Sequence, residues 1–202
     1  MPWCLIHPIE EMSRGVIFID NGKAASTTTS HVLSKAVQKS GGHIGGMHTP
    51  ARFVRDNYPK YFSSYCKFAV IRNPYDRFIS LYLFKKGVLL NKGLIDSEEK
   101  IKEMAKAKQP PENAYQYEMV SDEHGNIIVD RLIRYEILQD EMRALVNDLK
   151  IPYVALKQYN NIWRQKTMDK KPWPVYYEQH PELFDIVKKL YDRDMRLWKS
   201  LQ

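Results

Sequence analysis

The sequence predicts an α/β fold of three layers, in which a central, mainly parallel sheet lies between helices. Two buried strands, each followed by a polar turn and an amphipathic helix, are the basis of this prediction. Residues 16–19 and 68–71 are short, uninterrupted apolar runs, typical of strands covered on both faces. Because strands that alternate with helices form parallel units, both strands should end at one edge of the sheet.

Each strand is followed by a helix with one apolar face. The first apolar stripe consists of Val32, Leu33, Ala36 and Val37, and it ends before Gly41. The second helix carries Phe78, Ile79, Tyr82 and Leu83, and Pro74 suits its first turn.

The remaining elements are predicted from shorter signals. Thr49 and Pro50 suggest an N-cap and a first helical residue, opening a short helix to about residue 57. Residues 127–135 and 153–156 are predicted strands, and residues 181–201 a single closing helix. A further helical stripe is formed by Met142, Leu145, Val146 and Leu149.

Residues 87–114 have weak periodicity and are rich in Lys, Glu, Gly and Pro. They are predicted to be a mobile excursion with one polar helix at 97–107, and such insertions often shape a substrate site. A chain of 202 residues suffices for one buried core, so residues 1–202 are expected to form a single domain.

The formal net charge of +7 indicates an anionic partner. Nucleic acid, acidic glycan, a membrane surface and a charged nucleotide all satisfy it. Two cysteines, Cys4 and Cys66, are too few for a disulfide framework or a zinc site. The start of the chain lacks the pattern of a secretory signal, and no apolar stretch is long enough to span a bilayer, so we expect a cytoplasmic protein without membrane association.

The first strand leads into Gly22-Lys23-Ala24-Ala25-Ser26-Thr27-Thr28 and then a helix. A helix N-terminus, small side chains, hydroxyls and a lysine form a common phosphate-binding combination. The segment is not a Walker A loop, because Ile17 stands where the first glycine belongs and Ala24 follows the lysine. Taken alone, it fits a polar connection as well as it fits a phosphate loop.

The second strand-to-helix junction favours phosphate binding. Arg72 ends the strand, and Arg77 and Ser80 follow five and eight residues later. A guanidinium and a hydroxyl are both suited to a phosphate group. Two anion-binding junctions on neighbouring strands suit a ligand with phosphates at both ends.

These two segments carry a resemblance to a known family. Residues 18–28 resemble the 5'-phosphosulfate-binding loop of sulfotransferases that use 3'-phosphoadenosine 5'-phosphosulfate (PAPS), and residues 68–82 resemble their 3'-phosphate-binding segment. The chain is most similar to the branch of bacterial small sulfotransferases and heparan sulfate 2-O-sulfotransferase. The resemblance extends to residues 129–136 and 166–171, to Tyr176-Tyr177 and to the closing helix. Gly22 departs from the pattern, which commonly has proline before the lysine.

The resemblance implies a P-loop-like sulfotransferase architecture, PAPS as donor and adenosine 3',5'-bisphosphate (PAP) as product, without a metal. It implies that Lys23 contacts the bridging and 5'-phosphate oxygens and that Arg72 and Ser80 hold the 3'-phosphate. Lys166 and Thr167 would close over the nucleotide. The rest of the implied 5'-phosphate loop is Ala24, Ala25, Ser26, Thr27 and Thr28.

A histidine is the natural general base, because its ordinary pKa lies nearest neutrality. His48 lies between the two phosphate motifs and aligns with the catalytic histidine of the 2-O-sulfotransferase branch. His43 is the second candidate, and a purely local, structural role for His48 remains the alternative. A structural role is expected for His31, and surface or turn positions are expected for His7, His124 and His180.

Two other functions remain open. A nucleotide kinase is disfavoured because the Walker pattern fails and no acidic magnesium site is evident. A non-catalytic RNA- or glycan-binding module would explain the charge and the aromatic residues Trp163, Trp173, Tyr176 and Tyr177, although these also suit a C-terminal core. We therefore expect transfer to a hydroxyl of a small molecule or glycan, with no nucleic-acid partner.

Overall fold

The computed structural model describes residues 2–81, 115–152 and 173–202. In this part of the chain, one five-stranded sheet has the order β3-β1-β2-β4-β5. Its strands are β1 (Pro2–Ile6), β2 (Val16–Ile19), β3 (His43–Met47), β4 (Cys66–Ile71) and β5 (Arg131–Arg134).

Helices connect and cover these strands. A 3-10 turn, Tyr135–Ile137, follows β5. The α-helices are α1 (Ser26–Ser40), α2 (Ala51–Asn57), α3 (Pro59–Ser64), α4 (described over 74–81), α5 (Gln116–Val120), α6 (Leu138–Leu149), α7 (Trp173–Gln179), α8 (Pro181–Leu190) and α9 (Asp192–Ser200). None of the described helices is long and apolar enough to cross a membrane.

The strands β2, β4 and β5 are parallel, with Ile19 of β2 opposite Ala69 of β4. The segments that follow β2 and β4 therefore meet at the same edge of the sheet. This confirms the predicted α/β class and its strand-to-helix units.

The strand β1 is antiparallel to both of its neighbours, β2 and β3, and the sequence predicted neither β1 nor β3. The sequence of β3 is His-Ile-Gly-Gly-Met, and glycines at its centre remove the side chains that would mark a strand. The sheet is therefore mixed, and its parallel half carries the two junctions.

The strands β2 and β4 are buried on both faces, as their apolar runs predicted. Phe18 and Phe68 stack on one face, with ring centroids 5.1 Å apart, under α1 and α6. Ile19 and Ile71 face the opposite layer, which includes α2, α3 and α5. Full burial of a large apolar side chain contributes about 1.5–3 kcal/mol, so both layers hold the sheet firmly.

Three predicted boundaries are wrong. Pro50, not Thr49, is the N-cap of α2, and the helix begins at Ala51 because Pro50 is in an extended conformation. The predicted strand at 127–135 shrinks to β5, since the chain turns into a 3-10 helix at Tyr135. The predicted closing helix is two helices, α8 and α9, separated at Tyr191.

Several predictions lie outside the described residues. They concern the excursion at 87–114 with its helix at 97–107, the strand at 153–156, and the residues Trp163, Lys166 and Thr167.

Candidate functional site

The loop between β2 and α1 is built mainly from backbone contacts. The backbone carbonyl of Asn21 accepts hydrogen bonds from the Ala24 N–H (3.0 Å) and from the Ser26 hydroxyl (3.1 Å). The side-chain amide of Asn21 donates to the Val70 carbonyl (3.0 Å). Lys23 and Ala25 have left-handed backbones, with φ of 64° and 61°. Non-glycine residues in this region are strained, so the surrounding contacts must impose the loop's shape.

The N-terminus of α1 suits an anion. Its N-cap, Ala25, makes no side-chain capping hydrogen bond, and the first turn contains no acidic residue. The Thr29 hydroxyl is fully buried and has no hydrogen-bond partner among the described residues. Open N–H groups and the helix dipole together favour a negatively charged ligand at this end.

Arg72 joins the second junction to the first. Its side chain is 4% exposed, and its Nη1 donates to the Lys23 carbonyl (2.9 Å) while its Nε donates to Asp76 (2.7 Å). The guanidinium lies 4.2 Å from the ring centroid of Tyr135. Nη2 is buried without a hydrogen-bond partner within the described ranges. Such a donor is costly unless a ligand accepts from it.

Arg77 also links the second junction to the first, through the backbone carbonyl of Gly22. Its Nε donates to the Gly22 carbonyl (2.8 Å), and its Nη1 lies 3.9 Å from the Asp194 carboxylate. Burial lowers the pKa of Arg77 and raises the pKa of Asp194. The sequence indicates no separate role for Arg77, because its partner is a backbone carbonyl that leaves no sequence signal.

Three distant residues hold the second junction. The Gln116 side chain accepts from the Arg72 N–H and donates to the Arg72 carbonyl, both at 2.8 Å. Asp194 accepts from the N–H groups of Gln116 and Tyr117, both at 2.9 Å, and Glu136 accepts from the N–H of Asn73 (2.7 Å). The sequence does not indicate these contacts, because the three residues lie far along the chain from the junction.

His48 lies at the first junction. Its Nδ1 is 3.4 Å from a carboxylate oxygen of Asp20, the residue that follows β2. Its backbone is left-handed, with φ of 54°, and its ring packs against Gly22. The structure therefore brings His48 together with Lys23 and Arg72 at the carboxyl edge of the parallel strands.

The other histidines lie elsewhere. His43 is in β3 opposite Leu5, and His31 is in α1. The Nδ1 of His7 is 2.7 Å from the Tyr65 hydroxyl, so His7 has a structural contact. His124 is exposed and His180 is the N-cap residue of α8.

The remaining predicted site residues occupy varied positions. Ala24 is buried, Thr28 is half-buried and Thr27 is exposed in the first turn of α1. Ser80 is buried in α4, one helical turn after Asp76 and on the same face.

The C-terminal aromatic residues form a core. Trp173 stacks on Tyr75 with centroids 5.5 Å apart, and the buried Tyr177 hydroxyl donates to the Tyr75 carbonyl (3.1 Å). Tyr176 packs against the same cluster. These contacts favour packing over the display of a stacking surface for nucleic acid.

The parallel half of the mixed sheet places both strand-to-helix junctions at one carboxyl edge, where α/β proteins usually bind their ligands. The sequence model of the Sulfotransferase family matches residues 15–199, and the chain belongs to that family. Comparison with curated proteins and with solved structures gives no match in either set. The family predicted from residues 18–28 and 68–82 is thereby confirmed, and it indicates a transferase.

Proposed function

We propose that the protein transfers a sulfuryl group from PAPS to a hydroxyl of a small molecule or sugar, with PAP as the second product. The observation that carries the proposal is the buried Arg72 guanidinium, which binds the Lys23 carbonyl and keeps one donor without a described partner. One residue thus links the two junctions and offers a charged hydrogen bond to a ligand lying between them.

The described residues fit PAPS, whose two ends carry anionic groups. The N-terminus of α1, with Lys23 beside it, suits the 5'-phosphosulfate. Arg72 and Ser80 suit the 3'-phosphate at the second junction.

PAPS supplies a sulfuryl group on a phosphate leaving group. His48 accepts the proton of the acceptor hydroxyl as its oxygen attacks sulfur in line with the departing phosphate. Lys23 and the N–H groups at the start of α1 stabilise the negative charge that develops on that phosphate. Positioning and electrostatics supply most of the rate enhancement in such transfers, by analogy with phosphoryl transfer.

Ligand-dependent thermal stabilisation tests the donor site. PAP should raise the melting temperature more than ATP with magnesium or a short oligonucleotide does, because only PAP occupies both junctions. Preferential stabilisation by ATP with magnesium would favour a kinase, and preferential stabilisation by the oligonucleotide a nucleic-acid-binding module.

Substitution of Arg72 tests whether this residue binds the 3'-phosphate. Arg72→Ala should weaken PAP binding much more than binding of adenosine 5'-monophosphate, which lacks the 3'-phosphate. Arg131→Ala is the matched control, because Arg131 forms an exposed ion pair with Asp148 at the other end of the sheet (2.7 Å). Equal losses for both nucleotides in Arg72→Ala would contradict the assignment.

An acceptor screen with labelled PAPS, read by mass spectrometry, tests the reaction itself. Transfer should persist in excess EDTA, because Lys23 and α1 provide the positive charge that magnesium provides in kinases. Loss of transfer in EDTA would contradict this mechanism.

A further inference from the structure

Asp20 is a fully buried carboxylate that directly follows β2, two residues before Gly22. One of its oxygens lies 3.4 Å from Nδ1 of His48, whose side chain is one-third exposed. A buried carboxylate oxygen is costly unless it accepts a hydrogen bond, so a proton on Nδ1 of His48 is favoured at this position.

Gly22 packs against the edge of the His48 ring formed by Cε1 and Nδ1. A Cβ added to Gly22 would lie 2.9 Å from Cε1 of His48 and 3.2 Å from Nδ1, closer than real Cβ atoms normally approach. The glycine that replaces the family's usual proline therefore allows the imidazole to lie against the loop backbone.

The backbone of His48 also limits its movement. Its φ of 54° is in the left-handed region, which an L-residue occupies only when its surroundings hold it there. The ring thus combines a restrained backbone, a close glycine and a carboxylate partner.

We propose that Asp20 is the positioning residue of His48, accepting the Nδ1 proton so that Nε2 is the nitrogen that removes the acceptor proton. This inference rests on the proposed function, in which His48 is the base. With Nδ1 protonated, the lone pair of the neutral ring is on Nε2.

The transfer exchanges one bond to sulfur for another. The hydroxyl proton moves to Nε2, the acceptor oxygen forms a bond to sulfur, and the bond from sulfur to the 5'-phosphate oxygen breaks with its electron pair on the phosphate. The Asp20 carboxylate accepts a hydrogen bond from the imidazolium and stabilises it.

The tautomer of His48 in the wild-type protein tests the proposal without a substitution at Asp20. Long-range proton–nitrogen correlation NMR of the 15N-labelled protein with PAP bound reports which ring nitrogen carries the proton when the ring is neutral. Loss of signals in His48→Ala identifies the His48 resonances. We expect a protonated Nδ1 and an unprotonated Nε2, and the opposite tautomer would overturn the proposal.

A double-mutant cycle tests the same link through the rate. With PAPS and the hydroxyl acceptor found by the screen, Asp20→Asn should lower kcat by about 10- to 100-fold and leave the Kd of PAP within about twofold. In the His48→Ala background, Asp20→Asn should cause little further loss, because the two residues act as one unit. Independent, additive losses would overturn the proposal.

The controls separate this proposal from the proposed function. Asp130→Asn removes a carboxylate that pairs with Lys67 (2.9 Å) near the start of β4, and it should leave kcat unchanged. Wild-type turnover in His48→Ala would disprove the base and, with it, the role of Asp20. A slow His48→Ala together with a fully active Asp20→Asn would overturn the role of Asp20 alone.

Discussion

The two strand-to-helix junctions are held in opposite ways. The first, from β2 to α1, is a strained backbone loop with left-handed residues at Lys23 and Ala25, and α1 begins there without a side-chain cap. The second, from β4 to α4, is held by side chains, and its two arginines donate to the carbonyls of Gly22 and Lys23 in the first. The first junction therefore presents groups proposed to bind and react, while the second junction, together with Gln116, Glu136 and Asp194, is its frame, and Arg72 in that frame also offers a donor to the proposed ligand. Changes at frame residues other than Arg72 and Ser80 should act mainly on stability, and changes in the loop mainly on turnover.

The largest expected effect is on the frame. Asp194→Ala leaves the N–H groups of Gln116 and Tyr117 without their acceptor and removes a carboxylate 3.9 Å from Arg77. We expect a loss of about 3–5 kcal/mol in the free energy of unfolding, measured by urea denaturation. The control is Asp192→Ala, which removes an exposed ion pair with Arg196 on the same helix and should cost less than about 1 kcal/mol. Similar losses in both variants would contradict the assigned frame.

The next effect is on the loop. Lys23→Ala should lower turnover by about 10²- to 10³-fold, equivalent to about 2.7–4 kcal/mol, and reduce PAP affinity far less, because its charge counts most in the transition state. The control is Lys35→Ala, an exposed position on α1. Steady-state kinetics and calorimetry measure the two quantities. An affinity loss as large as the turnover loss would show that Lys23 only binds the nucleotide.

Alkaline pH should lower the free energy of unfolding through a tyrosine that packs behind the second junction. Tyr191 packs behind the second junction, and burial raises its pKa from 10.0 to about 12. The unfolded phenol ionises first as pH rises, so this stabilisation is complete below about pH 10 and is lost between about pH 10 and 12. The loss should total about 2–3 kcal/mol. Urea denaturation of Tyr191→Phe should show a shallower decline across this window, and an identical slope would refute the prediction.

The smallest expected effect comes from relieving backbone strain at two left-handed residues, one in the loop of the candidate site and one outside it. Ala25→Gly and Lys150→Gly both place glycine at a left-handed position, the second at the C-terminus of α6. Each should change the free energy of unfolding by no more than about 1 kcal/mol. Only Ala25→Gly should lower turnover, because it loosens the loop that faces the nucleotide. Equal turnover in both variants would mean that the strain at Ala25 does not shape the site.

The sequence predicted what is local. The buried strands and the polar segments after them lie within short stretches, and the positions of Lys23 and Arg72 at one edge follow from parallel pairing alone. It did not predict β3, whose central glycines carry no periodic signal. The Thr49 cap failed by one residue, which is the usual limit of boundary signals.

The frame escaped prediction for a different reason. Gln116 and Asp194 reach their partners across 44 and 78 residues, and their identities alone do not indicate which N–H group they meet. The contact between Asp20 and His48 also depends on where a loop places a ring, because Asp20 is indistinguishable by sequence from an ordinary turn residue.

Asp194 accepts hydrogen bonds from N–H groups at the start of α5, and these bonds indicate the order in which parts of the chain fold. They close a span of 78 residues, and long closures must be made before their contacts give any stabilisation. Local units such as β2 with α1 need no such closure. The chain should therefore acquire most of its helical content before the proposed nucleotide site forms, since that site is completed by the docking of α9. Binding competence would then report the final step of assembly better than any measure of secondary structure.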